Sequence, residues 1–207
     1  MYPLLKRAFD ILFSLLVLLF GGWLYLIIAL VIRVGSPGPV LFRQERVGLR
    51  KRNFQILKFR TMRADAPRDT PTHMLRDPQA YITPVGRWLR RTSLDELPQV
   101  FNILRGQMSV VGPRPALWNQ ADLIAERDKY GANDVPPGLT GWAQVNGRDE
   151  LPIAEKAKLD GDYVAHRSLG MDLRILLRTV GSVLSSDGVQ EGAAGSPQND
   201  EHTDCNP

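Results

Sequence analysis

Residues 11–32 carry no charged side chain, and this run of 22 residues constrains the chain more than any other feature. As one helix it would measure about 33 Å at about 1.5 Å per residue, enough to cross a hydrocarbon core about 30 Å thick. A cleaved signal peptide is a poor description, because the run is long for a signal core and no small-x-small cleavage site follows it. A buried helix of a soluble protein is disfavoured as well, since the segment is apolar on every face. The flanks decide how it sits. Lys6 and Arg7 precede the run, and Arg33, Arg43, Arg46, Arg50, Lys51, Arg52, Lys58, Arg60 and Arg63 follow it, against Glu45 as the one acid between residues 33 and 63. Positive charge beside a membrane segment favours the cytoplasmic side, and both ends carry it here. A straight crossing strands Lys6 and Arg7 on the far side, whereas a helix that enters and returns satisfies both flanks. Gly21-Gly22 at mid-run offers a break, with arms of roughly 15 Å each. The sequence therefore predicts a re-entrant, broken membrane helix over residues 1–35. Asp10 has two readings, a pair with Arg7 at the interface or simple placement near a helix N-terminus.

The remainder of the 207 residues leaves room for one core, expected over residues 36–185, with a small, polar, disordered tail at 186–207. Lys and Arg outnumber Asp and Glu by 26 to 22, a balance whose placement matters more than its total. The single cysteine, Cys205, excludes an internal disulfide framework and a cysteine-rich metal site. His73, His166 and His202 show no H-x-x-x-H spacing and read as ordinary histidines. There is no internal repeat.

Gly35-Ser36-Pro37-Gly38-Pro39 should stop the membrane helix. Val40-Leu41-Phe42 and residues 54–60 then read as strands of a β-hairpin around a turn at 47–53. The basic residues of this stretch are either a solvated face or a site for anionic lipid, the second preferred so close to a membrane segment. Nucleic acid is not expected as a partner, for want of any recognisable module. Residues 65–84, with Pro67, Pro71, Pro78 and Pro84, form a loop long enough to be functional.

The sharpest chemistry lies in Arg90-Arg91-Thr92-Ser93-Leu94-Asp95-Glu96-Leu97-Pro98-Gln99. Pro98 suits the first turn of a helix, which places its start between Ser93 and Asp95. Ser93 and Glu96 have capping-box spacing, and capping is the plain structural reading of these residues. Against it stand Arg87, Arg90 and Arg91, which put an anion site beside two acids, and a stiff Gly112-Pro113-Arg114-Pro115 turn that presents one more arginine. Neighbouring helical residues point about 100° apart, so Asp95 and Glu96 cannot share a proton as a tight dyad. Separate tasks suit them better: one attacks phosphorus, the other holds a divalent metal.

Five motifs then occur in order: Lys6-Arg7-x-Phe9-Asp10, Lys58-Phe59-Arg60-Thr61-Met62, the 91–99 segment, Val111-Gly112-Pro113-Arg114-Pro115, and Pro137-Gly138-Leu139-Thr140-Gly141-Trp142-Ala143-Gln144-Val145-Asn146-Gly147-Arg148. Together they resemble the bacterial sugar transferase family of monotopic polyprenol-phosphate glycosyl-1-phosphate transferases, over residues 6–184. The resemblance implies a UDP-sugar and undecaprenyl phosphate as substrates, Mg2+ as cofactor, and a place at the cytoplasmic face of the bacterial inner membrane. It implies that Asp95 attacks the phosphate bearing the sugar and releases UMP, and that polyprenyl phosphate then displaces the phosphosugar from the aspartate. Glu96 matches the family's metal-binding acid. Arg90, Arg114 and Arg148 match arginines that hold phosphates or the nucleotide, joined by Lys58 or Arg60. Membrane lipid and a second copy of the chain, as a homodimer, complete the expected partners. Two departures stand out: Gly22-Trp23 where the family often has Ser-Pro, and Gly106-Gln107-Met108-Ser109 where it commonly reads Gly-Asp-Met-Ser.

Residues 149–163 read as a helix whose Asp160 and Asp162 either face solvent or steady an arginine. Residues 171–185 are amphipathic, suited to the core or to a membrane interface, and Trp142 has the same two readings. The expected fold is thus mixed α/β and helix-dominated, with a small hairpin sheet, a re-entrant helix and interfacial amphipathic helices. Two other functions remain open at this point: a non-catalytic membrane scaffold for nucleotide sugar or lipid, and the same transfer without a covalent step, with Asp95 as base. The sugar itself is not written in the sequence.

Overall fold

The structure is a computed structural model and describes residues 1–67, 77, 79–147 and 151–185. The apolar run becomes one helix, α1 (Tyr2–Gly35), with Pro3 in its first turn. It ends where the Pro-Gly pattern requires: Ser36 N–H closes on the Ile32 carbonyl, and Gly38 adopts φ +115°, a value that favours glycine. The helix continues through Gly21-Gly22, so the expected break is not an interruption of the helical backbone. A Cβ at either glycine would meet nothing within 4 Å, so no close approach calls for glycine there.

Only Asp10, Ser14, Ile28 and Ile32 of α1 are buried, while Leu19, Phe20, Leu26 and Leu30 are all at least 64% exposed. Such an apolar surface on a helix of this length fits lipid, not water. The helix is nevertheless fastened to the rest of the molecule at both ends. Near its start, Arg7 donates to the Ile103 and Leu104 carbonyls at 2.6 and 2.8 Å. Asp10 accepts from Ser109 Oγ and Val110 N at 3.0 and 2.9 Å. The Arg7–Asp10 pair that the sequence admits is therefore replaced by two separate docking contacts. Lys6 and Tyr2 meet the buried Asp172 carboxylate at 2.9 and 3.0 Å. Near the other end, Tyr25 donates to the Leu97 carbonyl at 2.7 Å, and Ile28 and Ile32 pack with Phe59 and Leu89.

The expected hairpin is present as β1 (Leu41–Val47) and β2 (Asn53–Phe59), antiparallel from Leu41↔Phe59 to Val47↔Asn53. Its turn is a 3-10 segment, Leu49–Lys51, in which Arg50 and Lys51 take positive φ. After the loop come α2 (Pro84–Arg91), a 3-10 turn at Leu94–Glu96, α3 (Gln99–Leu104) and β3 (Ser109–Val111). Then follow α4 (Ala121–Asp128), β4 (Gly138–Thr140), the short α5 (Trp142–Val145), α6 (Ile153–His166) and α7 (Leu169–Ser185). β3 and β4 pair in parallel, Ser109 with Gly138 and Val111 with Thr140. The molecule is thus mixed α/β, dominated by helices, with two small sheets and an apolar N-terminal helix.

The core that positions the site is built on β2, α3 and β3, with Phe54, Ile56, Ile103, Met108, Val110 and Val111 joined by Tyr163 and Ile175 from α6 and α7. Asn102, fully buried on α3, ties that helix to β2: its Oδ1 accepts from Leu57 N, and its Nδ2 donates to the Gln55 carbonyl and to Gln107 Oε1. Gln107, where the related motif commonly has Asp, thus completes an amide network.

α2 is set by its cap and by one glycine. Thr83 Oγ1 accepts from Gly86 N at 2.9 Å, and Pro84 occupies the first turn. A Cβ on Gly86 would collide with the Thr61 carbonyl, a backbone atom that cannot swing aside. Gly86→Ala should therefore destabilise the protein by about 3 kcal/mol and shift Arg90. A thermal midpoint within error of wild type would contradict this packing.

α7 presents Leu169, Leu173, Leu177 and Val180 as an exposed apolar stripe, with Ile175 buried behind it. Asp162 lies on the exposed face of α6 and Asp160 on the buried one. The tail expected at 186–207, and half of the loop expected at 65–84, fall outside the described residues.

Candidate active site

The segment 91–99 folds differently from the capped helix that its spacing suggests. Ser93 takes a left-handed conformation (φ 55°, ψ 15°) and makes no side-chain cap. The chain turns through 3-10 geometry at Leu94–Glu96, and α3 begins after Pro98. A left-handed serine carries strain, which structures tend to retain at functional sites. Its effect here is to place Asp95 and Glu96 on a tight turn rather than along a helix.

Glu96 is gripped by two cations. Lys58 Nζ lies 2.7 Å and Arg114 Nη2 2.9 Å from the same oxygen, Oε1. β2 supplies the lysine, and the Gly-Pro-Arg-Pro turn after β3 supplies the arginine. Burial alone would push the Glu96 carboxyl up, but the charges and hydrogen bonds of Arg114 and Lys58 outweigh it and hold Glu96 well below the ordinary range. Asp95, its neighbour, goes the other way. Burial, aided by the Glu96 charge, raises it to about 6 against the pull of Lys58, Arg90 and Arg114. Two adjacent carboxylates are thereby separated in character, one firmly ionised and one tunable near neutrality.

Both acids line a cavity of about 1170 Å³ together with Lys58, Arg60, Arg90 and Arg114. Of Arg87, Arg90 and Arg91, only Arg90 lines it, with its Nε bonded to Thr61 Oγ1 at 2.9 Å. Arg60 is engaged differently from the other cations: its two terminal nitrogens donate to the Ser36 and Pro37 carbonyls at 2.7 and 2.5 Å. It therefore secures the turn that leaves α1. Arg148 lies outside the described residues.

Arg127 and Asp160 also line the cavity, and neither the spacing of motifs nor local pattern singles out Arg127. Their side chains are 4% and 1% exposed, and Nε and Nη2 of Arg127 both donate to Asp160 Oδ2, at 2.8 and 2.5 Å. The third nitrogen of Arg127 donates to the Arg114 carbonyl at 2.9 Å. The buried pair thus holds the backbone of the arginine that meets Glu96. Of the two readings for Asp160, the structure gives the steadying one. Arg174 and Arg178 of α7 lie over the Trp142 ring, their guanidinium carbons 5.3 and 5.1 Å from its centroid.

Among the described residues no cluster of three His, Cys, Asp or Glu forms a ready-made metal cage. Mg2+ commonly binds through one or two carboxylates plus substrate phosphates, and Asp95 and Glu96, consecutive residues that line one cavity, fit that pattern. Arginines and a lysine around two carboxylates in a roomy cleft suit the handling of a phosphorylated substrate.

Comparison with known proteins gives the same answer. The family model described as bacterial sugar transferase matches residues 1–186. The chain is 40% identical over 188 residues to "Uncharacterized sugar transferase EpsL" of Bacillus subtilis, covering 91% of each chain. It is 45% identical over 192 residues to "UDP-glucose:undecaprenyl-phosphate glucose-1-phosphate transferase" of Caulobacter vibrioides, covering 88% of this chain and 70% of that one. It is 43% identical over 185 residues to "Undecaprenyl-phosphate glucose phosphotransferase" of Komagataeibacter xylinus, where 84% of this chain spans 35% of the relative.

Proposed function

The chain belongs to the bacterial sugar transferase family, and from that premise we propose that it transfers a sugar 1-phosphate from a UDP-sugar to undecaprenyl phosphate and releases UMP. UDP-glucose is the first donor to test, since two of the similar proteins act on glucose by name. The observation that carries the reading is the split pair: Asp95 near neutrality beside a firmly anionic Glu96, in a cavity lined with cations.

In the proposed first step an Asp95 oxygen attacks the phosphorus that bears the sugar. The bond from that phosphorus to the bridging oxygen breaks, its electrons leave with UMP, and a phosphosugar remains on the aspartate. In the second step a phosphate oxygen of the polyprenyl phosphate attacks the same phosphorus, and the Asp95 carboxylate leaves. Covalent catalysis divides one hard transfer into two: the first consumes the carboxylate and the second returns it. Arg90 and Arg114 stand where they can bear the charge of the transferred group. Lys58 holds Glu96 in place. Glu96, with oxygens of the diphosphate, would hold Mg2+, which supplies charge neutralisation there.

A re-entrant course of α1, with the active site at the cytoplasmic face of the inner membrane, is supported by its two anchorages. Arg7 and Tyr25 are about 27 Å apart along a straight helix, yet they hold opposite ends of a segment around α3, itself about 9 Å long. Both basic flanks then stay on the side of the catalytic body.

The test is UMP release by the detergent-solubilised chain from a panel of UDP-sugars, with undecaprenyl phosphate and Mg2+. Release with at least one donor, matched by sugar phosphate recovered in the lipid, is expected; no release with any donor from folded protein would overturn the reading. A pH series adds a second expectation. An attacking carboxylate must be ionised, so kcat/KM should fall below about pH 6, tending to about tenfold per unit. A profile flat down to pH 4.5 would show that Asp95 is not the group that attacks.

A further inference from the structure

The cavity that holds Asp95 has two kinds of wall. Around the acids it is lined by Lys58, Arg90 and Arg114. Away from them it is lined by Phe13 and Val17 of α1, Leu139 of β4, Val145 of α5, and Leu176 and Val180 of α7. This second wall is well founded: Phe13, Leu139, Val145 and Leu176 all pack against the buried cluster that includes Ile103, Val110 and Ile175. Its polar neighbours are few: Thr140 Oγ1 lies 2.7 Å from Thr179 Oγ1, and Gln144 donates through Nε2 to the Leu139 carbonyl and keeps one buried acceptor, Oε1, for a ligand group.

The wall also continues outward. Val180 is 58% exposed and follows Leu173 and Leu177 along the apolar stripe of α7. On α1, Leu16 and Phe20 flank Val17 and are exposed. An apolar trough thus runs from a cation-lined centre to the outer faces of two helices, one of which is long and apolar enough for a bilayer. A nucleotide or a sugar has too many hydrogen-bonding groups for such a wall, and burying them unpaired is costly. An amphiphile with an anionic head and a branched hydrocarbon tail matches both ends.

We propose that the trough between the first arm of α1 and α7 is the binding site for the leading isoprene units of the acceptor. Its phosphate reaches the cations while its tail leaves sideways into the bilayer. The acceptor and the donor then enter by separate routes, the lipid from the membrane and the nucleotide sugar from water. This rests on the transferase reading above and extends it to the path of one substrate.

The test uses the full chain in phosphatidylcholine nanodiscs and a polyprenyl phosphate that carries a diazirine on its first isoprene unit. Photolabelling is mapped by mass spectrometry, with UMP release measured on the same preparation. Label on residues 13–17 of α1 and 176–180 of α7, displaced by excess undecaprenyl phosphate, is the expected result. Label confined to the outer face of α1 around Leu19 and Leu26, or to residues 39–46, overturns the trough even though UMP release persists. Absence of UMP release from the wild-type chain is the separate failure of the transferase reading. As a second measure, Val17→Trp fills the trough and should raise the KM for undecaprenyl phosphate about tenfold or more. An unchanged KM would count against the site.

Discussion

Asp95→Asn is expected to lower turnover by at least about a thousandfold while making the folded protein more resistant to heat. The first effect follows from the amide, which has no anionic oxygen with which to attack phosphorus. The second follows from the environment of the carboxylate. Burial raises Asp95 from 3.8 to about 6, and each unit corresponds to about 1.4 kcal/mol, so its ionisation costs the fold on the order of 1–3 kcal/mol. The sign is fixed by the direction of the shift. A carboxyl raised in the folded state contributes full stability below its unfolded value near 4, and loses it as the pH rises through about 6. Wild type carries this cost at pH 8 and the asparagine variant does not. Thermal unfolding at pH 8 should therefore favour the variant, with the gap closing towards pH 4. A variant that is inactive and also less stable at pH 8 would mean that the carboxylate is held by favourable contacts rather than strained by burial.

Arg127 carries the second large effect. Removal of one partner of a buried pair typically costs about 3–5 kcal/mol, because the remaining charge is left alone away from water. Arg127→Ala would strand Asp160, which is 1% exposed at its side chain, and also take the donor from the Arg114 carbonyl. Both stability and turnover should fall. The double change Arg127→Met with Asp160→Leu separates the two roles, since an apolar pair of similar size often replaces a buried ion pair without loss of stability. The expected result is a recovered thermal midpoint with kcat still about tenfold low or worse, because Arg114 remains unsupported. Full recovery of kcat would show that the pair serves only the fold.

How the site was legible in the sequence depended on the range of each interaction. Asp95, Glu96 and Arg114 stood out because their neighbours in the chain carry the signal: a cluster of arginines, a proline, a stiff Gly-Pro-Arg-Pro turn. The hairpin was legible for the same reason, its register being set by a short turn and by alternating burial. Ser93 was misleading. Its spacing to Glu96 is that of a capping box, but the chain takes a left-handed turn at Ser93 between α2 and the 3-10 turn, which no local pattern encodes. Arg60 resembled a phosphate ligand in the 58–62 motif, yet its guanidinium is engaged by two carbonyls that become neighbours only when α1 ends beside β2. Arg127 gave no signal, because its partners Asp160 and Arg114 are 33 and 13 residues away. Gly21-Gly22 together with the basic flanks suggested a break, and the helical backbone runs through both glycines, as a long apolar helix keeps its backbone hydrogen bonds wherever water cannot replace them. What the sequence did capture there is the basic N-terminal flank, which the structure turns into Arg7 on the α3 carbonyls and Lys6 on Asp172.

Covalent attack by Asp95 is tested by the mass of the intact protein after incubation with UDP-glucose and Mg2+ in the absence of any polyprenyl phosphate. The expected result is a phosphosugar adduct that maps to Asp95, an amount of UMP equal to that of the adduct, and loss of the adduct when undecaprenyl phosphate is added. UMP that forms only when donor and acceptor are both present, with unmodified protein throughout, would contradict it, and would leave Asp95 as a base in a direct transfer.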